Sequence, residues 1–153
     1  MLKQFLLLGL IIILTLVSYK LLTYLFKKKD STSTSAYKII PLSHLDSENI
    51  KSCIKPLPID IKSGFMHFSF KHQAPNVLLK FFNHLQSVLI LEIDLTVLLE
   101  NGSELRIEAN KPGGDTYPHL YGNQNIPFSA VKKIILLKKD EGGMWETNPL
   151  EKV

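Results

Sequence analysis

Gly64–Phe70 reads GFMHFSF, and its side chains fall into two alternating sets: Met66, Phe68 and Phe70 on one side, Phe65, His67 and Ser69 on the other. A period of two is that of a β-strand with one apolar face. The opposite face carries an imidazole and a hydroxyl two residues apart, about 7 Å along the strand. This stretch therefore predicts both a strand and a place where polar chemistry is displayed on it.

Working outward, Pro75 opens a segment whose Val77, Leu78, Phe81, Phe82 and Leu85 recur at helical spacing. Val88–Leu95 (VLILEIDL) is an apolar run of strand length, and Asn101-Gly102 marks a turn before a strand over Leu105–Ala109. The Gly-containing stretch Lys111–Asp115 reads as a loop, and Val131–Leu137 (VKKIILL) as a further strand. Upstream, Tyr37–Pro41 is a short strand stopped by proline. Ser43 is placed to cap a helix over 44–52, and Cys53–Asp60, with Pro56 and Pro58, reads as loop or sheet edge. Strands that alternate with two helices and few crossovers predict an α+β domain with a largely antiparallel sheet.

The amino-terminal part has another character. Phe5–Phe26 is 22 residues with a single charge, Lys20, and as a helix it spans roughly 33 Å, enough to cross a bilayer. Residues 1–30 hold Lys3, Lys20, Lys27, Lys28 and Lys29 against Asp30, which is the whole of the formal +4; the other 123 residues carry 13 basic and 13 acidic side chains. The basicity belongs to the anchor, so nothing supports a nucleic-acid footprint. The excess of lysine after the span predicts that the domain faces the cytoplasm. The expected organisation is a transmembrane anchor with basic flank (1–30), a Ser/Thr linker (31–36), a globular domain (37–139) and a loosely ordered tail (140–153). Cys53 is the only cysteine, which excludes an internal disulfide.

Several side chains have the chemistry of a binding site. His67 with Ser69 suits the grip of a ribose or phosphate, or forms the solvated face of an edge strand. His119 and Tyr121 make a second two-residue pair beside Gly122, either at a ligand or at a structural corner. Arg106 is the only arginine; it offers bidentate recognition of phosphate or carboxylate, or a surface pair with Glu104 or Glu108. Glu108 is the candidate catalytic carboxylate, or an ordinary exposed strand residue. His67, His72, His84 and His119 lack zinc-site spacings, so no metal centre is expected.

Tyr37-Lys38-Ile39, the GFMHFS run at Gly64–Ser69, LEID at Leu91–Asp94, Arg106-x-Glu108 and PHLYG at Pro118–Gly122 are similar, in order and spacing, to the small bacterial proteins grouped as domain of unknown function 952. The resemblance spans about Tyr37 to Leu137. It implies a split sheet like that of the ADP-ribosyltransferases, which hold NAD in a cleft between two small sheets. By the same resemblance, His67 is the histidine that holds a ribose, and NAD or an ADP-ribose-type nucleotide is the ligand class. Two functions follow as expectations: a nucleotide-binding domain at the membrane, catalytic or not, and a non-catalytic interaction module held there by its anchor.

Overall fold

The computed structural model describes residues 34–45, 53–100 and 102–146. The anchor expected over residues 5–26 and most of the helix expected over 44–52 lie outside these. Among the described residues, no helix is long and apolar enough to cross a membrane.

Among the described residues, eight strands form two three-stranded antiparallel sheets and one short two-stranded pair. The first sheet has the order β1 (Ser35–Pro41), β4 (Ser87–Asp94), β8 (Val131–Lys138), and the second β3 (Met66–His67), β6 (Thr116–Tyr121), β5 (Glu104–Ala109). β2 (Cys53–Ile54) pairs with β7 (Ile126–Pro127). The two larger sheets touch where Tyr37 and Ser69 exchange backbone hydrogen bonds of 2.8 and 2.9 Å. The α+β class holds among the described residues.

β4 explains why Val88–Leu91 is an unbroken apolar run rather than alternating. It is the central strand, and both of its faces are buried: Leu89, Leu91 and Ile93 enter one apolar cluster with Met66, Phe68 and Leu120, while Val88 and Ile90 enter another with Tyr37, Ile39 and Leu78. Over Val88–Leu91 the strand is covered on both sides and no position favours a polar side chain; alternation begins at Glu92, which is only partly buried and accepts from the Ser35 hydroxyl.

Among the described residues there are three short α-helices: α1 (Pro58–Ser63), α2 (Ala74–Phe81) and α3 (Leu95–Leu99). Only α2 agrees with the sequence reading, and it stops four residues before Leu85. α1 replaces the expected loop. Pro58 stands in its first turn, the Asp60 carboxylate accepts the Leu57 N–H at 2.8 Å, and Gly64 ends it in the left-handed conformation at φ 77°. α3 is capped by Asp94, whose side chain accepts the Thr96 N–H at 2.9 Å. β6 is also new, a strand over Thr116–Tyr121 to which the sequence reading assigned no element. Two boundaries move as well: Ser35 and Ala36, read as linker, are buried in β1, and residues 140–146 form a tight turn with Lys139 bridged to Trp145.

Candidate functional site

The polar face foreseen on Gly64–Phe70 lies over a cavity of ≈730 Å³. Its lining comes from β1, α1, the β3 region, α2 and β6, and includes Lys38, Asp60, Phe65, His67, Ser69 and His119. The alternation assigns these positions: His67 pairs across the ladder with His119, and His119 with Arg106, so the three share one face of the second sheet.

Lys38 points from β1 into the interior and is 2% exposed; Asp60 is fully buried beside it, at 2.6 Å. The Asp60 carboxylate accepts four hydrogen bonds: from Lys38 and the Leu57 N–H at Oδ2, and from the His67 N–H (3.0 Å) and His67 Nδ1 (2.9 Å) at Oδ1. Lys38 also donates to the His67 carbonyl at 2.9 Å. A buried charge is tolerated when it is paired and its remaining capacity is filled, as here. Burial pulls the Lys38 ammonium down to about 8 against the opposing pull of Asp60. For Asp60, burial pushes upward, but the His67 hydrogen bond and the Lys38 charge together outweigh it and hold the carboxyl at about 2.

That shift has a consequence for acid stability. A carboxylate with a depressed folded-state value contributes stability above its unfolded value of 3.8 and loses it as the pH falls toward 2. From this group alone, the domain is expected to lose about 2 kcal/mol between pH 4 and pH 2. Denaturant unfolding across that interval measures it. In Asp60→Asn the corresponding slope should be absent.

His119 is 1% exposed, and its Nδ1–H donates to Glu108 at 3.1 Å. The Tyr121 hydroxyl donates to the same Glu108 oxygen. These two bonds, Tyr121 first, hold the Glu108 carboxyl below the usual range, while the carboxylate raises Tyr121. Burial lowers His119, so its imidazole is neutral at pH 7. With Nδ1 carrying the proton, Nε2 is a bare acceptor. It is one of two buried side-chain polar atoms without a partner among the described residues, the other being Trp145 Nε1. Phe65 sits between the rings, its centroid 4.3 Å from His119, 4.7 Å from His67 and 5.1 Å from Tyr121.

The expected site is thus brought together in part. His67, Ser69 and His119 line the cavity, but the Ser69 hydroxyl, 1% exposed, donates to the Tyr37 carbonyl at 3.3 Å and is occupied. Tyr121 and Glu108 stand behind His119 rather than in the lining. Arg106 is further out: it makes two 2.8 Å bonds to Glu104 and lies 4.2 Å from the centre of the Tyr121 ring. Sequence reading missed Lys38, Asp60 and Phe65. Among the described residues no group of three or more His, Cys, Asp or Glu is placed to hold a metal.

The comparisons agree with this picture at the level of family. No curated protein matches the chain. A crystal structure of protein CC0527 from Caulobacter crescentus is similar, with 27% identity, TM-score 0.61, and coverage of 74% of this chain and 94% of that one. A solution NMR structure of CC0527 gives 28% identity and TM-score 0.57, covering 72% and 90%. These neighbours do not carry the ADP-ribosyltransferase likeness. The model of the family described as "Protein of unknown function (DUF952)" matches residues 39–134, and the chain belongs to that family.

Proposed function

We propose that the chain is a membrane-tethered domain that binds a nucleotide of the NAD or ADP-ribose kind in the cavity above β3 and β6. The observation that carries this reading is His119 Nε2: a bare acceptor in a residue that lines a ≈730 Å³ cavity. Leaving such a group unpaired costs about 1–3 kcal/mol, which a ligand hydroxyl or amide N–H regains by donating to it. The volume falls in the range of small-molecule sites, and the walls combine aromatic surface with few convergent polar groups. The ligand class comes from the ADP-ribosyltransferase likeness that the sequence resemblance implies, not from the family itself, whose function is unknown. The test is thermal unfolding of the full chain in detergent with millimolar NAD or ADP-ribose: a rise in melting temperature supports the reading, and no shift with either compound removes it.

The tether rests on Phe5–Phe26 and its basic flank. The intact chain should stay with membranes through carbonate and high-salt washes, since hydrocarbon burial is not screened by salt. Release by salt alone would contradict the anchor.

One observation favours the alternative of an interaction module. Ile59 and Ile61 on α1 and Leu79 and Phe81 on α2 are each more than half exposed. If the nucleotides fail, that surface becomes the basis of function.

A further inference from the structure

We propose that His119 and His67 act as general base and general acid in the hydrolysis of a nucleoside cyclic phosphodiester bound in this cavity. The inference rests on the nucleotide reading above and extends it from binding to a reaction. Its basis is a repeated arrangement. Each imidazole lines the same cavity, and each has its Nδ1 held by a carboxylate from another element: His119 by Glu108 of β5, His67 by Asp60 of α1. Both rings therefore keep Nε2 for a ligand. Their centroids are 5.3 Å apart with planes at 72°, and Phe65 is stacked on the face of His119 and tilted against His67.

The two environments differ in the way an acid–base pair requires. His119 is buried and neutral, with a bare Nε2, the state of a base. His67 is about a third exposed, in reach of solvent, and its Nδ1 is held by the Asp60 carboxylate, the placement of a proton donor to a leaving oxygen. Lys38 and Asp60 cancel in the lining, so a protonated His67 leaves it with one positive charge, matching a diester monoanion. Tyr37, Phe68, Phe81 and Tyr117 offer apolar surface for a base ring.

In the reaction His119 Nε2 takes a proton from water as the water oxygen bonds to phosphorus. The P–O bond to the ribose 2′ or 3′ oxygen breaks, and that oxygen takes a proton from His67 Nε2. His119 then releases its proton to solvent and His67 regains one, so one water is consumed and a nucleoside monophosphate is formed. Glu108 and Asp60 are positioning residues.

The full chain in detergent, with EDTA present, should convert 2′,3′-cyclic AMP to adenosine monophosphate by phosphorus NMR, with a bell-shaped pH profile. The groups facing His119 are Glu108, Tyr121 and His67; those facing His67 are Asp60, Lys38 and His119. His119→Gln and His67→Gln should each lower the rate about 100-fold or more. Glu108→Gln, by removing the carboxylate that favours the imidazolium, should move the acidic limb to lower pH. Should His119→Gln lose its unfolding transition, the more exposed His67→Gln carries the comparison. No conversion, or conversion at the parental rate in a folded histidine variant, overturns the inference. ADP-ribose stabilisation without conversion overturns it and leaves the binding reading intact; absence of both overturns the two together.

Discussion

Asp60→Ala is expected to destabilise the domain by about 3–5 kcal/mol, the largest effect of any single substitution considered. Breaking a buried ion pair by removing one partner leaves the other charge without compensation, and here the Lys38 ammonium would remain 2% exposed with no carboxylate. The Leu57 and His67 backbone N–H groups and His67 Nδ1 would lose their acceptor as well. A domain of this size shifts by at least about 4 °C per kcal/mol, so the melting temperature should fall by well over 10 °C. The double variant Lys38→Met, Asp60→Leu should recover part of the loss, since it removes both charges together. A loss below 1 kcal/mol for Asp60→Ala would mean that this network does not hold β1, α1 and β3 together.

His119→Phe separates a ligand contact from a packing contact. A ligand at 100 times its dissociation constant stabilises the folded state by about 2.7 kcal/mol, and this gain should be largely lost in the variant. The unliganded domain should be no less stable, because the phenyl ring replaces a buried acceptor that has no partner, while Glu108 keeps the Tyr121 hydroxyl and remains partly exposed. Thermal unfolding with and without ADP-ribose measures both quantities. A loss of several kcal/mol without ligand would identify His119 as a structural group instead.

How much of this was legible in the sequence depends on whether the determining interaction is local. The strands β1 and β4 were legible because burial leaves a direct trace in the order of apolar residues, and β5 and β8 because their runs of β-branched and other apolar residues have strand length even where they are partly exposed. β6 was not assigned from the sequence; it contains Pro118, which has no N–H to give to a ladder. The missing N–H is tolerated there, and the Pro118 carbonyl still accepts the Phe68 N–H at 2.9 Å. α1 was hidden by reading Cys53–Asp60, with Pro56 and Pro58, as loop or sheet edge, although Pro58, Asp60 and Gly64 together form a start and stop signal that fits a single short helix.

The site divides in the same way. His67 and His119 were found because a polar residue inside an alternating strand stands out. The placement of Arg106 was open between a ligand and a surface pair with Glu104 or Glu108, and the structure gives it to Glu104. Lys38 and Asp60 were not found: they are 22 residues apart on different elements, and no spacing rule links them. Phe65 was counted with the strand, and only the three-dimensional arrangement shows its ring among His67, His119 and Tyr121. Ser69 failed for the opposite reason. Its position on the polar face was read correctly, but the partner of its hydroxyl, the Tyr37 carbonyl, comes from β1.

The most direct measurement is the long-range nitrogen–proton spectrum of the histidine rings in the uniformly labelled chain, recorded at pH 7 with and without ADP-ribose. The account predicts that His119 is protonated at Nδ1 and bare at Nε2, and that the ligand moves the Nε2 resonance as it gains a hydrogen-bond donor, with the histidines outside the cavity unchanged. A His119 protonated at Nε2, or an Nε2 resonance indifferent to saturating ADP-ribose and NAD, would contradict it.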